Sequence, residues 1–137
     1  SRCSELVFAA PGNKVIVGVD VTMTTILTGQ TLEAFSQTTS PHGRFAWEVS
    51  QFYMDVYEKG LGFRACALHD SVAAAVALDF DSFVTKYVEK PVEVVQTSRD
   101  KRAVVAREPR FPDRPPMRVV TAVDVPKFID WQLKALA

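Results

Sequence analysis

The sequence predicts an α/β fold with packed helices and a small β-rich element toward its carboxyl end. Three observations predict it. Val15-Ile16-Val17-Gly18-Val19-Asp20-Val21 is a continuous apolar, largely β-branched run behind the turn-forming Pro11-Gly12-Asn13, as expected of a buried parallel strand covered on both faces. Two helical patterns occupy the middle of the chain, one amphipathic and one apolar on every side. From Pro91 onward the texture changes to short β-rich runs separated by polar residues and prolines.

The strand is expected to run from Val15 to Val21, with Asp20 and the hydroxyls of Thr22, Thr24 and Thr25 gathered at its carboxyl end. In open α/β sheets that end is where ligands bind; the same residues can equally start a loop and satisfy its backbone. Thr28 through Phe35 reads as a short helix with Thr28 as its cap, ending at Thr38-Thr39-Ser40. A stronger helix follows, with Ser40 as N-cap, Pro41 in the first helical position and Gly60 as a left-handed stop. Within it Phe45, Val49, Phe52 and Val56 recur at i, i+4, i+7 and i+11, the stripe expected to face the core. Tyr53 and Tyr57 form an adjacent stripe, which is either core and rim or a platform for a ligand.

Leu61 to Leu68 reads as a loop. Ser71 to Leu78, apolar on every face and rich in alanine, reads as a buried helix ended by Asp79-Phe80-Asp81. Val92 to Thr97 and Ala103 to Arg107 read as a hairpin across a polar turn, and Arg118 to Val123 as a further strand. Asp124 and Pro126 start a last helix with Phe128, Ile129, Leu133 and Leu136 as apolar positions and Trp131 on its flank.

Composition bounds the function. The chain has 137 residues, 47% of them hydrophobic and 23% charged, ordinary values for one domain over residues 1–137. Such a length buries roughly two thirds of the unfolded surface, enough for a core without disulfides. Sixteen Lys and Arg cancel sixteen Asp and Glu, so net charge declares neither nucleic acid nor an anionic membrane as partner. Cys3 and Cys66 lie far apart and form no C-x-x-C pair, which argues against a disulfide framework or structural zinc. No apolar run approaches the roughly 20 residues that span a bilayer, and no signal-peptide pattern opens the chain. A cytoplasmic protein without a membrane partner is the expectation. The first residue is Ser1 rather than Met, so a processed, trimmed or partial chain is expected.

Motif chemistry concentrates in Leu68-His69-Asp70, at a loop-to-helix junction. Asp70 is placed to cap the following helix by accepting from its first free amides. Its second oxygen leaves it able to bind a cation, and His69 beside it has the chemistry of an acid near neutral pH. No D-x-D-x-D loop, H-E-x-x-H, G-x-G-x-x-G, G-x-x-x-x-G-K or G-x-S-x-G occurs, which argues against a phosphate cradle or a serine nucleophile elbow. Residues 99–118 hold seven basic side chains against three acidic ones, a local net of +4. This ribbon is either a solvated edge that discourages strand pairing or a surface for RNA or protein in a non-catalytic α/β binding module.

Several blocks taken together resemble the calcium-dependent nucleoside hydrolases of the inosine-uridine type. Val17-Gly18-Val19-Asp20-Val21-Thr22, Leu27-Thr28, Phe52-Tyr53 to Tyr57, Gly62-Phe63 and Leu68-His69-Asp70 with its alanine-rich helix occur in that family's order and spacing. Phe83-Val84-Thr85, the hairpin and Val123-Asp124 to Phe128 follow its carboxyl-terminal pattern. The resemblance implies a partial Rossmann-like nucleoside hydrolase fold and hydrolysis of the bond between nucleobase and ribose. It implies that Asp70 is a calcium ligand, that His69 is the catalytic residue that donates to the leaving base, and that Tyr53 and Tyr57 contact substrate from a mobile region over the base. A homo-oligomer acting on ribonucleosides in nucleoside salvage is the family expectation.

Two of the family's blocks are absent. The amino-terminal Asp-x-Asp-x-Gly-x-Asp-Asp run, which supplies most calcium ligands and the carboxylate that activates water, does not occur, nor does the central Asn-bearing ribose-binding segment. Met23 follows Val-Thr where many members carry a polar residue. The chain therefore resembles the carboxyl-terminal part, less than half, of such an enzyme. It is expected to be a fragment of a longer enzyme, one of a pair with an amino-terminal chain, or a non-catalytic remnant, and to hydrolyse nucleosides negligibly alone. A fragment is also expected to expose apolar surface that its missing half would cover.

Overall fold

A computed structural model describes residues 2–94, 104–106 and 115–137. After a first helix, α1 (Arg2–Ala9), the strand β1 spans only Val15–Val17. The expected continuation to Val21 is instead a helical turn, α2 (Val19–Thr22). Gly18, extended at φ −77° and ψ 164°, is the residue at which the direction changes. The amides of Val21 and Thr22 both return to the Gly18 carbonyl, at 3.1 and 3.0 Å.

Next come β2 (Ile26–Leu27) and α3 (Gly29–Ser36). Thr28 precedes α3 as expected, its amide donating to the Thr31 hydroxyl at 3.0 Å and its carbonyl accepting from the Thr31 amide. Helix α4 (Pro41–Leu61) starts as expected: Ser40 caps it through the Gly43 amide at 2.9 Å, with Pro41 first in the helix. It ends two residues later than Gly60. Gly62 takes the left-handed conformation, φ 79°, and donates to the Glu58 carbonyl at 2.9 Å, the arrangement in which glycine avoids a Cβ clash.

The face of α4 is a second correction. The Phe45–Val49–Phe52–Val56 stripe faces solvent, with Phe52 80% exposed, while Met54 on the opposite side is fully buried. Spacing identifies an apolar face but not its partner; α3 and α7 take the side bearing Trp47, Ala46 and Met54. Gly43 is a point of close approach in that packing, since a Cβ there would collide with the Leu136 carbonyl and the Thr38 side chain.

The chain continues through β3 (Cys66–Ala67) into α5 (His69–Leu78) and the short α6 (Phe80–Phe83). Helix α5 buries Val72, Ala75 and Val76, but Ala74, Ala77 and Leu78 are exposed, so it is covered on one side rather than all round. Strand β4 (Val84–Lys90) has no counterpart in the sequence reading; its side chains are mostly exposed, so it carries little periodic signal. Strands β5 (Val92–Val94) and β6 (Val104–Ala106) form the expected antiparallel hairpin, Val92 opposite Ala106 and Val94 opposite Val104. Its turn, residues 98–102, lies outside the described residues, as does most of the basic ribbon. Arg118, at the ribbon's described end, lies 5.2 and 5.8 Å from the Phe80 and Tyr87 ring centroids and pairs with Glu89 at 3.3 Å.

Strand β7 (Met117–Val123) is the centre of a three-stranded mixed sheet in the order β1-β7-β4. It pairs in parallel with β1, Val15 opposite Arg118 and Val17 opposite Val120, and antiparallel with β4. Helix α7 (Val125–Leu136) starts where expected, Asp124 accepting from the Lys127 amide at 3.1 Å. Two apolar clusters hold these elements. One joins the sheet to α2, α5 and α7 through Val21, Val72, Val76, Phe83, Val120 and the fully buried Phe128. The other joins α3, α4, β2 and β3 through Leu27, Leu32, Phe35, Met54 and Cys66. Leu68 packs against both, so the residue before His69 sits where the two clusters meet. No helix of the described residues is long and apolar enough to cross a membrane.

Candidate functional site

The antiparallel pairing of β2 with β3, Ile26 opposite Ala67 and Leu27 opposite Cys66, lays the segment after α2 beside the segment before α5. Thr22 and His69 thereby become neighbours although 47 residues separate them. Helix α4 also packs on β3, which brings Tyr53 and Tyr57 to the same place. Those two tyrosines, at i and i+4, share one helix side, their ring centroids 4.8 Å apart in an edge-on contact. Arg64 fastens the intervening loop to α4, donating to Asp55 at 2.8 Å, Glu58 at 3.1 Å and Gln51 at 2.8 Å. Asp55 and then Glu58 hold its guanidinium above the ordinary arginine range.

The result is a continuous hydrogen-bonded row. The Tyr53 hydroxyl donates to that of Tyr57 at 3.2 Å, the Tyr57 hydroxyl lies 2.7 Å from His69 Nε2, and the Thr22 hydroxyl lies 2.6 Å from His69 Nδ1. Both imidazole nitrogens are thus engaged by hydroxyls on separate elements, which fixes the ring plane. Burial, reinforced by the Tyr57 hydroxyl, pushes the Tyr53 phenol well above the usual tyrosine range. Tyr53 therefore stays protonated and keeps its donor role.

A cleft of about 360 Å³ opens beside this row, lined by Ser50, Tyr53, Cys66, Ala67, Leu68, His69, Asp70 and Ser71. Three of the four residues singled out from sequence, Tyr53, His69 and Asp70, line it directly, and Tyr57 joins through His69. Asp70 is not the N-cap that its position suggested. Leu68 occupies the cap and Asp70 the second helical position, where no side-chain cap bond forms. The backbone turns one residue earlier, leaving the carboxylate exposed in the first turn, where the helix dipole favours it.

Of the polar residues expected at the end of β1, only Thr22 reaches the site. Thr24 and Thr25 return their hydroxyls to the Val21 and Thr22 carbonyls at 2.7 and 2.8 Å, and Asp20 is exposed on α2. Ser50, Cys66 and Ser71 were not singled out from sequence, because no spacing relates them. Burial pushes the Cys66 thiol above the usual range, with Ser50 pulling the other way. Among the described residues no group of three or more His, Cys, Asp or Glu is arranged to hold a metal ion. Asp70 thus offers one carboxylate, against the six to eight oxygens that calcium takes.

Residues 3–130 match the family described as inosine-uridine preferring nucleoside hydrolase. The inosine-uridine preferring nucleoside hydrolase of Crithidia fasciculata is 26% identical over 98% of this chain, which spans 43% of that relative's length. Among solved structures, a plant nucleoside hydrolase superposes with a TM-score of 0.87 at 20% identity, covering 97% of this chain and 44% of its own. A purine-preferring ribonucleoside hydrolase from Gardnerella vaginalis gives a TM-score of 0.77 at 25% identity, covering 96% and 42%. The fold is a partial nucleoside hydrolase fold, and the chain belongs to the inosine-uridine preferring nucleoside hydrolase family.

Proposed function

We propose that the chain carries the leaving-group side of a nucleoside N-ribohydrolase site. In this reading His69 is the acid that protonates the departing base, Tyr57 and Tyr53 contact that base, and Asp70 contributes a carboxylate to a calcium ion. The supporting observation is the row Tyr53–Tyr57–His69 beside a cleft that also holds Asp70, in a chain of this family.

The chemistry explains why such a row suits the task. When the bond between base nitrogen and ribose carbon breaks, its electron pair leaves with the base and positive charge develops on the sugar. Water then attacks that carbon and loses a proton, while the base gains one. An imidazole held between hydroxyls supplies a proton at a fixed position, so the base need not leave as an anion. A base reaches His69 Nε2 past the Tyr57 hydroxyl or through it, since Tyr57 already occupies that nitrogen at 2.7 Å.

The described residues do not form a calcium site by themselves, having one carboxylate in the cleft. No step performed by this chain is therefore routed through the ion. The other ligands and the base that activates water belong, in this reading, to another part of the polypeptide or to a separate chain. An acid alone contributes about 10²–10⁴-fold, against the 10⁶-fold or more typical of enzymes.

The test is ribose release from inosine and uridine, with and without calcium, by the 137-residue chain and by the native polypeptide isolated from its source. The chain alone is expected to be nearly inactive; robust calcium-dependent turnover by it would refute the incomplete site. His69→Ala in an active native polypeptide is expected to lower turnover by about 10²–10⁴-fold. A native polypeptide that releases no ribose from either nucleoside would sink the hydrolase reading.

A further inference from the structure

We propose that Thr22 is a positioning residue that holds His69 in the tautomer with its proton on Nε2, the nitrogen facing Tyr57. The link to catalysis rests on the reading of His69 as proton donor from its imidazolium form, in which Nε2–H goes to the base and the Thr22 hydroxyl accepts from the Nδ1–H that remains. The placement of the hydrogen in the neutral ring does not rest on that reading.

A neutral imidazole donates from one nitrogen and accepts at the other. With hydroxyls at 2.6 Å from Nδ1 and 2.7 Å from Nε2, two patterns are self-consistent. Either Thr22 donates to Nδ1 and Nε2–H donates to Tyr57, or Nδ1–H donates to Thr22 and Tyr57 donates to Nε2. The second pattern obliges the Thr22 proton to find another acceptor. Thr22 is only 4% exposed, so water is not a ready one. Its remaining acceptor is the Val19 carbonyl at 3.4 Å, near the limit of a useful bond. The first pattern places the Thr22 proton in the 2.6 Å bond.

At the other end of the row Tyr57 then accepts from both His69 Nε2–H and Tyr53. Its own proton loses His69 as acceptor, but Tyr57 is half-buried rather than buried, so solvent can take that proton. Thr22 itself has little freedom: its amide is held by the Gly18 carbonyl at 3.0 Å, and its carbonyl by the Thr25 hydroxyl at 2.8 Å. The short helix α2 thereby acts as a mount for one hydroxyl. Removing that hydroxyl leaves Nδ1 without its donor and frees the ring to carry its proton there.

The experiment is proton–nitrogen correlation NMR of the imidazoles in the 137-residue chain, in alkaline buffer with both rings neutral. The chain has two histidines, and His42→Gln leaves the signal of His69 alone. The wild-type spectrum is expected to show the proton on Nε2 and a slowly exchanging Thr22 hydroxyl proton coupled to Nδ1. Thr22→Ser keeps that pattern, and Thr22→Val shifts the ring to a mixture or to the Nδ1–H form. A wild-type ring protonated on Nδ1, no coupled hydroxyl proton, or an unchanged pattern in Thr22→Val overturns the proposal. The wild-type measurement needs no variant to fold.

In the native polypeptide, Thr22→Val is expected to lower kcat by about 10–100-fold, as when an orienting partner is lost, with KM little changed. It should lower nothing further in a His69→Ala background. A loss that persists there overturns the positioning role. The spectra need no substrate, so they stand even where the hydrolase reading fails.

Discussion

The Ser40 hydroxyl closes both ends of a helix crossing. It accepts from the Gly43 amide at 2.9 Å, capping α4, and donates to the Leu136 carbonyl at 2.6 Å, near the end of α7. Ser40→Ala removes both bonds and is expected to cost about 1–2 kcal/mol. Gly43→Ala, whose methyl would meet the Leu136 carbonyl and Thr38, is expected to cost about 1–3 kcal/mol through overpacking. Denaturant unfolding of each variant measures both; a neutral Gly43→Ala would show that α4 and α7 are not packed this closely.

The orientation of α4 makes an opposed pair of expectations. Phe52 is 80% exposed and Met54 fully buried, so Phe52→Ser should change stability by less than about 0.5 kcal/mol. Met54→Ala should lower it by about 2–5 kcal/mol. The reverse ranking in denaturant melts would place the helix the other way round. The exposed Phe45–Val49–Phe52–Val56 stripe should also bind an apolar fluorescent dye, with the signal reduced in Phe52→Ser.

Phe128 is the most consequential apolar side chain of the sheet-side cluster. It is fully buried and lies 6.3 Å, centroid to centroid, from both Phe83 and Trp131. Phe128→Ala is expected to cost about 3–5 kcal/mol, a large part of the roughly 5–15 kcal/mol of a typical domain. Loss of the cooperative thermal transition, or a large drop in Tm, is the expected reading; a shift of only a degree or two would contradict the packing.

The two cysteines should differ sharply in reactivity. Cys3 is exposed and Cys66 buried, and burial raises the Cys66 thiol, so less of the reactive thiolate forms. A thiol reagent at mildly alkaline pH should label Cys3 first and Cys66 only on unfolding. Equal rates would show that the cleft floor is open.

The same shifts set the alkaline limit of stability. Cys66 and Tyr53 both have folded-state pKa values above their unfolded ones. Between the two values the unfolded chain binds fewer protons than the folded one, so stability falls as pH rises. The decline should begin near the ordinary thiol pKa of about 8.5 and steepen near the ordinary tyrosine pKa of about 10. Tyr53→Phe should remove the steeper part. An unfolding free energy flat from neutral pH through that range would contradict both shifts.

The elements that were legible in the sequence are those whose signal is local. Ser40 with Pro41 starts α4, Asp124 with Pro126 starts α7, and Thr28 precedes α3, because a cap acts within three residues of itself. The β-branched runs at 92–94 and 104–106 pair as a hairpin for the same reason. His69 and Asp70 stood out by their place at a helix start, and with Tyr53 they line the cleft.

What the tertiary structure decided are the matters of partner and direction. Periodicity shows that α4 has an apolar stripe, but the core chose the other side because α3 and α7 pack against Met54. Strand β4 exists through its pairing with β7, since its own side chains are mostly exposed. The apolar run after Val17 becomes the turn α2, closed by the Val21 and Thr22 amides on the Gly18 carbonyl. That turn, set beside β3 by the pairing of β2, brings Thr22 onto His69 across 47 residues. A contact of that kind depends on two strand registers and a helix packing at once, so no short stretch of sequence encodes it.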